Sequence, residues 1–98
     1  MQQAPAWRRV ELTGDRAVLE VNGEEIVVVR SEGRVYALAN ACPHEGNPLV
    51  EGELLGPTLE CAYHGWRFDL ESGACLFGEE PARRYPVEER EGAVWVKA

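Results

Sequence analysis

The sequence predicts an all-β protein, an antiparallel β-sandwich or small barrel with a loop-built subdomain inserted between its strands. Three observations lead there. Short runs of β-branched and aromatic residues recur along the chain, glycine-containing turns separate them, and no segment sustains a 3.6-residue apolar period. Strands are expected at residues 17–21, 25–30, 34–38, 58–61, 66–70 and 93–97. Asn22-Gly23 between the first two is a strong hairpin signal. Ser31-Glu32-Gly33, Glu71-Ser72-Gly73 and Arg90-Glu91-Gly92 read as slightly longer hairpin loops. Helix is confined to a turn or two around residues 49–55. Pro43, Pro48, Pro57, Pro81 and Pro86 are incompatible with central strands, and most fall in or beside residues 40–81. That stretch is the inserted, loop-rich part of a single domain spanning residues 1–98.

The insert also holds the chemistry. Cys42-Pro43-His44 and Cys61-Ala62-Tyr63-His64 each set a thiolate beside an imidazole, giving the pattern Cys-x-His-x16-Cys-x2-His. Thiolate suits soft, electron-exchanging centres and imidazole suits iron, copper or zinc, so the repeat restricts the occupant to very few metals. Both histidines of the chain are used in these pairs. Three cysteines cannot all pair with one another, and metal ligation explains Cys42 and Cys61 better than oxidation in a reducing compartment. Cys75 is then left as a small hydrophobe in a strand. The glycines after each pair, Gly46 and Gly65, let backbone N–H groups approach a charged centre.

Charge narrows the partners. The net charge is −7, and residues 40–80 carry eight acids (Glu45, Glu51, Glu53, Glu60, Asp69, Glu71, Glu79, Glu80) against one base, Arg67. Such a field opposes nucleic acid and anionic membrane as partners. No apolar stretch approaches the ~20 residues that span a bilayer, and residues 1–9 lack the apolar core of a signal peptide, so a soluble, cytoplasmic protein is expected.

The spacing of the two pairs, the run Cys61-Ala62-Tyr63-His64-Gly65-Trp66-Arg67-Phe68-Asp69-Leu70-Glu71-Ser72-Gly73 and the later Tyr85-Pro86-Val87 closely resemble the Rieske [2Fe–2S] family. The resemblance implies a Rieske-like antiparallel β-sandwich with an inserted cluster-binding subdomain. It also implies one [2Fe–2S] cluster, with Cys42 and Cys61 on one iron and His44 and His64 on the other. Two Fe(III), two sulfides and two thiolates sum to zero charge, whereas four thiolates would give a dianion that accepts an electron less readily. Rieske potentials accordingly run from about −150 to +300 mV, against about −400 mV for plant-type ferredoxins. High-potential members of the family carry two further cysteines and cluster-directed hydroxyls. Here Asn47 and Tyr63 stand at the cysteine positions, and Trp66 and Phe68 at the hydroxyl positions, which implies a low potential.

Zinc, which accepts two sulfurs and two nitrogens tetrahedrally, is the other candidate occupant. One sulfur and one nitrogen per loop suits two irons better than a single ion. The function implied is a soluble one-electron carrier, not itself an enzyme, passing electrons from a flavin-dependent reductase to a terminal oxygenase or similar acceptor. The alternatives are the small subunit of an NADH-dependent nitrite reductase, bound to its large subunit, and a zinc-stabilised binding module. Lesser expectations are Pro81, with Gly78 before it, in a loop covering the cluster; Trp66 in packing; Trp7 and Trp95 in the core or at its edge; and Arg67 facing solvent or pairing with an acid.

Overall fold

The structure is a computed structural model that describes residues 5–42, 46–63, 65–77 and 81–98. Its described residues form eleven short strands and one 3-10 turn. In chain order these are β1 (Trp7–Val10), β2 (Arg16–Val21), β3 (Glu24–Ser31), β4 (Arg34–Ala39), the 3-10 turn (Leu49–Glu51), β5 (Glu53–Leu55), β6 (Thr58–Glu60), β7 (Arg67–Asp69), β8 (Cys75–Phe77), β9 (Arg84–Tyr85), β10 (Val87–Arg90) and β11 (Ala93–Lys97). All pairings are antiparallel, in three sheets ordered β1-β11-β10, β2-β3-β4-β9 and β5-β6-β7-β8.

The run Ile26-Val27-Val28-Val29 explains how the sheets are layered. A strand with one wet face alternates apolar and polar, but all four of these residues are at most 1% exposed. Ile26 and Val28, with Ala37 and Tyr85, pack against Val10, Val94 and Val96 of the first sheet. Val27 and Val29, with Leu38, pack against Leu59 and Phe68 of the third. The sheet containing β3 is therefore the shared wall between two cores, and the β5–β8 sheet lies on its far side from the β1-β11-β10 sheet.

The six expected strands are all present. Five more, β1, β5, β8, β9 and β10, form where no clear apolar run marks them. Residues 53–55 continue as strand β5, so helical geometry stops at Glu51. Ser31 and Arg34 pair directly, as do Arg90 and Ala93. The turns between them are thus two residues long, like Asn22-Gly23, with Glu32 (φ 53°) and Glu91 (φ 52°) in the left-handed region. Both central residues of these turns have positive φ, the geometry that matches strand twist in a tight hairpin.

Trp7 and Trp95 are half-buried on the outer face of the first sheet, opposite its core face. There the Arg90 guanidinium lies 5.3 Å from the Trp7 ring centre and 5.1 Å from that of Trp95.

Candidate metal centre

Cys42 follows β4 and Cys61 follows β6, and the two short loops they open are closed in the same way. The Cys42 N–H donates to the Asn47 carbonyl at 2.7 Å and the Gly46 N–H to the Cys42 carbonyl at 2.7 Å. The Cys61 N–H donates to the Trp66 carbonyl at 2.7 Å and the Gly65 N–H to the Cys61 carbonyl at 3.1 Å. Gly46 (φ 74°) and Gly65 (φ 71°) occupy corresponding positions in the left-handed region, which a side chain would disfavour. Two different sequence segments are thus closed by the same pair of backbone bonds, with a left-handed glycine at the same place.

Both cysteines are 1% exposed, and both belong to the core shared by the middle sheet and the β5–β8 sheet. Leu49, Leu59, Phe68 and Leu70 complete that core, with Trp66 and Cys75 packed against it. The Trp66 and Phe68 rings meet at 6.4 Å and 47°. Cys75 lies in β8 opposite Phe68, partly rather than fully buried. Arg67 pairs with Glu60 at 2.7 Å, as expected for a residue alternating with buried neighbours. His44 and His64 lie outside the described residues, as do Glu45 and Gly78, while Pro81 is exposed in an irregular segment.

Two residues with no motif value hold this part of the chain in place. Asn40 is 6% exposed, and its Oδ1 accepts from the Val50 N–H at 2.7 Å while its Nδ2 donates to Glu25 Oε1 at 3.2 Å. Arg16, at the start of β2, donates through Nη1 to the Val50 and Gly52 carbonyls at 2.7 and 2.9 Å. Asp15 accepts from Arg16 Nε at 2.9 Å, and that hydrogen bond draws the Asp15 carboxyl below its ordinary range. Sequence offered no local sign of either role, because the bonding partners lie 10 to 36 residues away and most are backbone groups.

Electrostatically, several of the acids are already engaged. Glu60 is paired with Arg67, Glu71 lies 3.8 Å from Arg34, and Asp69 accepts from the Ser72 hydroxyl at 2.7 Å. Glu51 accepts from the Tyr63 hydroxyl at 2.9 Å, and this bond to a carboxylate is the first cause of the raised Tyr63 pKa.

Two thiols buried in one core, each opening a loop closed by the same two backbone bonds, give this all-β domain a donor pair that could hold a soft metal. Soft sulfur donors in an apolar, β-walled site fit an iron–sulfur centre. The chain belongs to the Rieske [2Fe–2S] domain family, whose model matches residues 3–89. Its cofactor is the [2Fe–2S] cluster, which decides between the two occupants the sequence left open.

The fold superposes on the ferredoxin of carbazole 1,9a-dioxygenase from Nocardioides aromaticivorans IC177 with a TM-score of 0.81 and 32% identity, covering 96% of this chain and 97% of that one. The ferredoxin component of the naphthalene 1,2-dioxygenase/salicylate 5-hydroxylase systems of Ralstonia sp is 36% identical over 77 residues, covering 76% of this chain and 74% of that protein. A chain in the reduced complex between oxygenase and ferredoxin in carbazole 1,9a-dioxygenase matches with a TM-score of 0.80 and 29% identity, over 95% of this chain and 28% of that one. Five other curated relatives are far longer, and this chain spans 12 to 29% of their lengths. Among the described residues no helix is long and apolar enough to cross a membrane.

Proposed function

We propose that the chain is a cytoplasmic one-electron carrier that takes electrons from a flavin-dependent reductase and delivers them to a terminal oxygenase. In this reading Cys42 and Cys61 hold one iron of the cluster, His44 and His64 hold the other, and residues of about 40–81 form the cluster-binding unit. The observation that carries it is the pair of matched loops bearing two buried cysteines. Near-complete mutual coverage with a dioxygenase ferredoxin supports the carrier role.

When bound, the cluster supplies one reversible electron. The chain's own residues set the terms. Leu49, Leu59, Phe68 and Leu70 exclude water from the thiolate side, which disfavours added negative charge there. Trp66 and Phe68 bring apolar rings where other members of the family bring hydroxyls, and the Tyr63 hydroxyl is engaged with Glu51. All three features support a potential near the low end of the Rieske range. The exposed acids Glu51 and Glu53, with Glu45, steer a partner presenting a basic surface, through a field that salt screens.

The test is stopped-flow reduction of the purified protein by a flavin-dependent reductase, followed by electron delivery to an oxygenase. Turnover that falls with ionic strength is expected. Failure to accept an electron from any such reductase, together with co-purification of a large sirohaem protein, would assign the chain to a nitrite reductase instead.

A further inference from the structure

The two loops that carry the candidate ligands are joined by a short chain of hydrogen bonds. The first loop closes at Asn47, and the 3-10 turn Leu49–Glu51 follows at once. Arg16 grips this turn from the middle sheet through the Val50 and Gly52 carbonyls, and the Gly52 N–H closes it onto the Leu49 carbonyl at 2.9 Å. Glu51 stands between the two gripped carbonyls. Its Oε1 accepts from the hydroxyl of Tyr63, which lies in the second loop and precedes His64 in sequence.

We propose that Tyr63 and Glu51 form a latch between the second loop and the 3-10 turn that follows the first, set in place by Arg16, and that Tyr63 is a positioning residue for the centre. The inference rests on the ligand assignment proposed above. Tyr63 is 49% exposed, so its ring adds little to the core. A hydrogen bond between two exposed side chains is also only a small share of a domain's total stability. Local opening of a loop is a different equilibrium, with a smaller free energy, and a bond that must break for the loop to open counts fully against it. The acceptor is pre-organised, because Arg16 fixes the backbone on both sides of Glu51. The latch is therefore a large part of the free energy that holds the second loop closed over iron and a small part of the stability of the whole domain.

The experiment compares the cluster-loaded parent with Tyr63→Phe, Glu51→Ala, Glu51→Gln and the double variant Tyr63→Phe/Glu51→Ala. Iron transfer to a chelator is followed by loss of visible absorbance, and thermal melting by far-UV circular dichroism. Tyr63→Phe and Glu51→Ala should each release iron about fivefold faster, the loss of one hydrogen bond. The double variant should be no faster than either, since one bond is removed in all three. Glu51→Gln should stay within about twofold of the parent, because its amide oxygen still accepts from the phenol. Melting temperatures of the three variants that lose the bond should fall together, by about 4–8 °C, with Glu51→Gln close to the parent.

Parental release from Tyr63→Phe, or a double variant whose effect is the product of the singles, overturns the latch while leaving the ligand assignment standing. Cys42→Ser is the control for the latter. If it retains iron and the spectrum of the parent, the ligand assignment falls and this inference falls with it.

Discussion

Replacing Asn40 by alanine tests whether the fold holds the first candidate ligand loop through a buried side chain rather than through the loop itself. Asn40 directly follows β4 and lies two residues before Cys42. Its backbone N–H donates to the Glu25 carbonyl at 2.8 Å, and the substitution leaves that bond intact. What is lost is the Oδ1 acceptor of the Val50 N–H at 2.7 Å and the Nδ2 donor to Glu25 at 3.2 Å. An orphaned, part-buried N–H costs about 1–3 kcal/mol. The bond to the exposed Glu25 carboxylate adds a few tenths of a kcal/mol at most. Asn40→Ala should therefore lose about 2 kcal/mol, a large share of the ~5–15 kcal/mol that stabilises a domain. For a chain of this length the melting temperature should fall by about 8–16 °C. Asn40→Asp separates the two bonds, because it keeps the acceptor for Val50 but sets a second carboxylate against Glu25. Its deficit relative to the parent should shrink as added salt screens that repulsion. Far-UV circular dichroism melts of the cluster-loaded proteins measure both effects. An Asn40→Ala melt within about 3 °C of the parent would refute the reasoning, since a cost that small means Val50 finds another acceptor.

Cys42→Ser should abolish the visible and EPR signals of the cluster, whereas Cys75→Ser, in the partly buried β8, should keep both; loss of iron from the latter alone would overturn the ligand set. Protein-film voltammetry should place the potential below about +100 mV, and a higher value would show that apolar rings at Trp66 and Phe68 do not set it. Glu91→Asn should raise the melting temperature by about 2–6 °C, because asparagine tolerates the left-handed φ of 52° that glutamate adopts there. A fall on this substitution would mean that the Glu91 side chain makes a compensating contact. Burial pushes the Tyr85 phenol above its ordinary value of 10.0. The unfolded phenol therefore ionises first, so stability is unaffected below pH 10 and is lost as the pH rises past it. Tyr85→Phe should make that alkaline loss shallower in urea-unfolding curves, and an unchanged slope would rule out its contribution.

The contrast between what the sequence discloses and what it hides follows from where each residue's partners lie. The strands at residues 25–30 and 34–38 are legible because burial on one or both faces writes itself into consecutive side chains. β10, Val87-Glu88-Glu89-Arg90, and β1, Trp7-Arg8-Arg9-Val10, are the edge strands of their sheet, and charged residues there suit a face or edge in water, so no apolar run marks them. What recruits them is β11, whose Val94 and Val96 need covering on one face while its backbone pairs on both sides. The two-residue turns at Glu32 and Glu91 were hidden for a similar reason. Cross-strand register, fixed by the burial of β3 and β11, forces glutamate into a conformation its own preference disfavours. The same division runs through the site. Cys42 and Cys61 declare themselves by residue type and spacing, since few side chains bind soft metals. Arg16 and Asn40 are ordinary polar residues whose partners are mostly backbone groups brought near by the fold. Both act on the 3-10 turn that follows the first candidate ligand loop, so under the proposed ligand assignment the support of that loop comes from side chains that carry no motif. Substitutions at Arg16 or Asn40 should therefore leave the cluster in place but speed its loss to a chelator, whereas those at the cysteines remove it outright, and a release rate equal to the parent's would show that this support does not reach the centre.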